Sequence, residues 1–245
     1  MNSHVLIPKC VLRCFVDDNV NKVYCYEHKE NYIRSASPKS INTERDYFSK
    51  ECEKFLNNNI ETKLGRVLKY LKEQKAGIFK MDVRYYEVIL LYARSLVFRS
   101  KLFKNNLQAK GVFDGGFSEQ EKNDISIALG YKESNEMQLF SEKHMGFIYA
   151  GENAEFVLPS KGYIYCDVVD NSIGFLVFLT RKYACLFSES VNMEFSVINA
   201  SKDTIASINQ RSFLSSSLYS DDFVVSSKKE LLETLKKNFG AEQEK

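Results

Sequence analysis

The stretch YIYCDVVDNSIGFLVFLTRKYACLF, residues 163–187, holds three short β-rich runs (163–165, 173–179 and 183–187) separated by turn residues. Phe156-Val157-Leu158 adds a run before it, and Met193 to Val197 is read as another strand after it. Upstream the texture is helical. From Ser49 to about Lys75, Phe55, Ile60, Leu64, Val67, Leu68 and Leu71 recur at helical spacing, with Gly77 as a stop. From about Asp82 to Lys104, Tyr86, Ile89, Leu90, Ala93, Leu96, Val97 and Phe98 repeat the pattern. The short connection predicts that these two long helices pack as an antiparallel pair. Ser118 with Glu121 makes a capping box that opens a short helix ending at Gly130, and a fourth helix is expected from Glu133 to about Tyr149.

At the N-terminal side, Leu6 to Phe15 suits a short helix opened by Pro8, and Val23–Tyr26 with Tyr32–Arg34 reads as a hairpin around His28–Asn31. Thr204 to Leu218 returns to helical spacing, and Ser227 with Glu230 is expected to cap a last helix ending near Phe239. Segregated runs of this kind predict an α+β fold: an N-terminal β-hairpin, a central long helix pair, then later antiparallel strands with C-terminal helices. The reading is one α+β domain over 1–245, with a lobe seam near 150–155.

The 245 residues are 44% hydrophobic and 13% aromatic, enough to fill one core at the upper end of the usual size. A net charge of +2 is too balanced to imply nucleic-acid binding by bulk charge, and leaves a local basic patch open. The six cysteines (Cys10, Cys14, Cys25, Cys52, Cys166, Cys185) follow no recurrent spacing, and residues 1–16 lack the pattern of a secretory signal. Free thiols in a cytoplasm are therefore expected. No apolar run is long enough to span a membrane.

P-loop, G-x-S-x-G, H-E-x-x-H and dinucleotide glycine signatures are all missing. Asp17 or Asp18 followed by Glu27-His28-Lys29 loosely fits a metal-dependent nuclease, but the Glu-x-Lys sits at a hairpin tip, where charges are solvated by default. Cys10 and Cys14, with His4 or His28, lack the Cys-x-x-Cys pairing typical of structural zinc and read as small buried hydrophobes. His144 is a natural proton shuttle set on the expected fourth helix, where a surface role competes. Glu61, Arg94 and Arg99 sit on the long helices. Arg94, in an apolar stretch, is expected to be partly buried against a carboxylate.

Three segments carry a resemblance: Pro8-Lys9-Cys10-Val11-Leu12-Arg13-Cys14-Phe15, then Lys22-Val23-Tyr24-Cys25-Tyr26, then Ile41-Asn42-Thr43-Glu44-Arg45-Asp46-Tyr47-Phe48-Ser49. In this order they resemble a bacterial family catalogued as DUF4238, with a later helix bearing a glutamate (here Glu61) and another bearing an arginine (here Arg99). The family's histidine would fall at Val5, one position from His4, and its glutamine at Leu96. The aspartate of its late segment is absent from Phe156 to Ser160. The resemblance implies a bacterial or phage-linked setting and names no activity. The expectation is a phage-defence or toxin-like effector acting on nucleic acid, with a non-catalytic protein-interaction module as the alternative. Candidate site residues are Glu44, Asp46, Glu61, Arg99 and His144, with Glu44 and Glu61 as acid/base or metal ligands and Arg99 as an anion clamp. Glu44 and Asp46 have a second explanation as caps of the first long helix. A convergent carboxylate–arginine pocket favours the enzyme, and an exposed Tyr/Phe patch favours the binder.

Overall fold

The computed structural model describes residues 2–74, 82–133, 145–167, 173–188, 197–216 and 222–240, and every structural statement concerns these. The predicted hairpin is present as β2 (Val23–Glu27) and β3 (Tyr32–Ala36), paired antiparallel with Tyr26 opposite Ile33. Its turn closes on Asn31 in the left-handed region, φ 49°, which asparagine tolerates better than most residues. The other edge of β2 takes β11 (Phe223–Ser226), and β11 in turn takes β6 (Leu158–Pro159), so the sheet order is β3-β2-β11-β6. Pro159 has no N–H to donate, which suits its place in the edge strand.

The late β-rich region forms a second sheet in the order β10-β5-β9-β8-β7, made of β5 (Met145–Tyr149), β7 (Tyr163–Asp167), β8 (Ile173–Phe178), β9 (Tyr183–Ser188) and β10 (Val197–Asn199). Neighbours are antiparallel except β10, which runs parallel to β5. β5 corrects the expected fourth helix. All five of its residues are buried, and a continuous apolar run has no face by which periodicity separates helix from strand. His144 lies outside the described residues, as does Gly77.

The first long helix comes in three parts: α2 (Lys50–Leu56), a π-helical turn (Asn57–Glu61) and α3 (Thr62–Glu73). α3 packs on α4 (Val83–Phe98), as the short connection predicts. The second helix stops short of Lys104. It ends at Phe98, and α5 (Lys101–Ala109) starts afresh with Ser100 as its cap. α6 (Glu119–Glu133) begins with the predicted capping box, Glu121 accepting from both the N–H and the hydroxyl of Ser118. α6 packs so tightly on α4 that a Cβ at Gly130 would lie 2.1 Å from the Phe98 ring.

α7 (Lys202–Ser216) and α8 (Lys229–Phe239) close the chain. Ser227 does not cap α8: its hydroxyl donates to buried Glu155, which also faces Arg181, Lys182 and Lys228. One apolar core runs from Ile7 and α1 (Lys9–Leu12) through α3 and α4 to β8, β9 and β11. A smaller one, with Tyr26, Phe213 and Leu232, lies beneath α8. All six cysteines are free thiols, and no described helix is long and apolar enough to cross a membrane.

Candidate functional site

Two residues join α4 to α5, and their chemistry decides what happens to Arg99. The Ser100 hydroxyl donates to Val97 O (2.6 Å) and accepts from Phe103 N (3.2 Å), so it ends one helix and caps the next. Arg99, at the corner, has its side chain wholly buried. Its Nη2 donates to Glu61 Oε1 at 3.0 Å, and its guanidinium lies 5.8 Å from the centre of the Phe48 ring. Nε and Nη1 are buried without a partner. Glu61 sits at the end of the π-helical turn, whose extra residue rotates the register of α3 relative to α2 by about 100°. Such turns concentrate at functional sites.

The segment carrying Glu44 is a short ribbon. β1 (Asn2–His4) pairs antiparallel with β4 (Thr43–Arg45), setting His4 opposite Thr43. This corrects the capping explanation of Glu44 and Asp46: the cap of α2 is Ser49, whose hydroxyl accepts from Cys52 N, while Glu44 belongs to a strand. Asp46 takes a left-handed φ of 53°. α6 holds the turn through its side chains, Gln120 donating to Asp46 O (2.9 Å) and Asn123 to Tyr47 O (2.9 Å). Lys104 on α5 ties these pieces together, its ammonium donating to Asn123 Oδ1 (2.7 Å) and the Tyr47 hydroxyl (3.1 Å).

Between these elements lies a cleft of about 610 Å³, lined more by apolar than by polar surface. Glu44, Asp46 and Tyr47 come to it from the ribbon, Arg99 and Lys104 from the helices, and Lys161, Tyr163 and Tyr165 from β7 and the turn before it. Burial lowers the pKa of Lys104 and of Lys161 below the usual lysine value, with Asp222 opposing at Lys161. His4 lies close enough to Glu61 and Arg99 for both charges to act on it. Burial pushes its pKa below 6.5 against the opposing pull of Glu61, so the imidazole is neutral at pH 7.

Of the five residues expected from sequence, Glu44, Asp46 and Arg99 line one cleft and Glu61 grips Arg99; His144 is outside the described residues. Tyr47, Lys104 and Tyr165 were missed as site residues, and His4 was weighed only as a metal ligand and as a neighbour of the family's histidine position. The capping serine at position 100 is the sequence signal that would have turned Arg99 inward and brought Lys104 in with α5. Arg94 is partly buried as expected, but its charge faces Tyr131 and Tyr86 rather than a carboxylate, and its Nε has no partner among the described residues. The nuclease-like residues do not meet: Glu27 pairs with Arg34 at 2.5 Å, and Asp18 with Arg181. Nearby thiols are poor nucleophiles, since burial raises Cys10 and Cys52 to about 12. Among the described residues, no group of three or more His, Cys, Asp or Glu is set to hold a metal ion.

The fold and site define an α+β protein with a cleft built on a buried arginine–glutamate pair. A family model described as a protein of unknown function (DUF4238) matches residues 3–153, more than half of the chain, and the chain belongs to that family. No curated protein and no solved structure matches it. The matched region contains Glu44, Glu61, Arg99 and Lys104, whereas the Tyr163–Tyr165 wall lies beyond it.

Proposed function

We propose that this chain is a catalytic effector of the phage-defence or toxin-like kind in a bacterial cell, acting on nucleic acid through the Arg99 cleft. The observation that carries the reading is the convergence of Arg99, held by Glu61, with Glu44 on one cleft wide enough for a small substrate. Arg99 is the anion clamp of this reading, its planar fork being matched to phosphate oxygens, and contact with a substrate requires the side chains that cover it to move aside. Glu44 is the acid/base, since its carboxylate lines the cleft and the capping duty belongs to Ser49. Glu61 is a positioning residue. Lysines and tyrosines around the cleft suit a strand's phosphates and bases.

The test is expression in a bacterial host of the wild type and of Glu44→Gln, scored for growth, phage plaque formation and nucleic-acid integrity. The expected result is a folded variant that has lost the phenotype. A folded Glu44→Gln protein with the wild-type phenotype overturns the reading. The alternative, a non-catalytic interaction module, is favoured by Leu102 and Tyr165, which are exposed at the cleft. In that case the phenotype follows Leu102→Asp and ignores Glu44→Gln.

A further inference from the structure

We infer that an extended segment of a partner protein docks in this cleft as an added strand along the open edge of β4, an inference independent of the chemistry proposed above. The hydrogen bond from Val5 N to Asn42 O (3.0 Å) fixes which positions of the ribbon are bonded. Bonded positions alternate in an antiparallel pair, so Glu44, opposite Ser3, turns its N–H and C=O toward β1. Thr43 and Arg45 turn theirs the other way, where no described residue meets them. Thr43, Glu44 and Arg45 also line cavities one after another. Successive side chains of a strand point to opposite faces, so three residues in a row border a groove along the strand's edge, not along one face. The open edge therefore faces the groove. A row of unmet donors and acceptors at strand spacing is what another polypeptide backbone matches.

The groove extends beyond the Arg99 cleft. A second cavity, of about 390 Å³, has β4 on one side and Cys25, Arg34 and Phe223 of the hairpin sheet on the other, and both cavities are lined by Glu44 and Asp222. Their charges say what the segment carries. In the second cavity Glu27 is paired with Arg34 at 2.5 Å, so Glu30, Glu44 and Asp222 face Lys29, with Asp222 also acting on Lys161. A lysine or arginine of the partner complements that excess, whereas phosphates are repelled by it, which separates this occupant from a nucleic-acid strand. The main cleft is lined chiefly by apolar surface, with Leu102 and Tyr165 exposed at it, and takes apolar side chains. The segment is therefore extended, basic toward one end and apolar at alternate positions toward the other. Lying there it covers Glu44, so its binding closes the cleft.

A displayed library of random ten-residue peptides, selected on the full chain and counter-selected on Arg45→Pro, tests this. Proline at position 45 deletes an outward N–H of β4 and leaves the bonds to β1 in place. Selected peptides are expected to alternate apolar and polar residues, with lysine or arginine toward one end. The best of them, made synthetically and followed by fluorescence anisotropy, is expected to bind about tenfold more weakly to Leu102→Asp and to Glu30→Lys, both at exposed positions. Methylating the peptide's backbone nitrogens at alternate positions decides the mode, and does so whether or not Arg45→Pro folds. One set of positions is expected to abolish binding and the other to leave it within about threefold, because only one set faces β4. No enriched peptide, equal effects of the two methylated sets, or indifference to Leu102→Asp overturns the inference. A concentration-dependent dimer of the full chain that the peptide dissolves makes a second copy the occupant and overturns the separate partner. None of these results bears on the effector reading, which falls with the Glu44→Gln phenotype.

Discussion

Glu61→Ala removes the carboxylate partner of a guanidinium that has no solvent exposure at all. Breaking one partner out of a buried pair costs about 3–5 kcal/mol, because the remaining charge has lost both its counter-ion and its water. Two features of this pair reduce that figure. The Glu61 side chain is 25% exposed, so water can reach the vacated position, and alanine raises the helix propensity there by a few tenths of a kcal/mol. The expected loss is about 2–3 kcal/mol, which for a chain of this length lowers the melting temperature by about 4–12 °C. Urea unfolding read by far-ultraviolet circular dichroism measures it, with an unchanged denaturant slope as the check that the transition is comparable. The double variant Glu61→Leu/Arg99→Met is expected to recover much of the loss, since it removes the buried charge together with its partner. A loss below about 0.5 kcal/mol in Glu61→Ala, or a double variant in which the two losses simply add, refutes the claim that the pair is coupled.

Glu155→Gln is expected to cost about 1–3 kcal/mol in urea unfolding, because it withdraws the buried charge facing Arg181, Lys182 and Lys228, all of them partly exposed. Gly130→Ala would normally stabilise a helix, but its Cβ would fall within 2.1–2.5 Å of three atoms of the buried Phe98 ring; a net loss of about 1–2 kcal/mol is expected, and a gain would refute the close α4–α6 contact. His4 binds its proton less readily folded than unfolded, so its contribution to stability is whole above pH 6.5 and falls as the pH drops below that value. The unfolding free energy of wild type minus His4→Gln, followed from pH 7 to pH 5, is expected to decline, and a flat difference removes His4 from the buried cluster. Glu44→Gln is expected to change stability by less than about 0.5 kcal/mol, since Glu44 is exposed and Ser49 does the capping; a larger loss restores a structural role for Glu44.

The part that the sequence alone determined is local. The hairpin of β2 and β3 arises from two short β-rich runs flanking turn residues, and the α6 capping box from Ser118 and Glu121 three positions apart. The α3 stripe of Leu64, Val67, Leu68 and Leu71 comes from the helical repeat. Each is set by interactions within a few residues, which spacing records. The resemblance carried by residues 8–49 likewise lay in short motifs, and it pointed to Glu61 and Arg99 without bringing them together.

Tertiary structure decided the rest. Met145–Tyr149 became a strand because β9 and β10 flank it and supply its hydrogen bonds, which a run of five apolar residues does not announce. Glu44 became a cleft residue because β1 pairs with β4, although the segment reads equally well as the lead-in to a helix. The cleft itself joins residues 44–47 to residues 161–165, more than a hundred positions later, and no periodicity encodes that approach. Arg99 shows the division most clearly. Its position after an apolar helix was legible, but its burial depended on the corner at Ser100, the extra residue of the π-helical turn and the placing of Glu61 opposite. A buried charge is stable only with its partner in place, and the partner's position is a property of the packed chain.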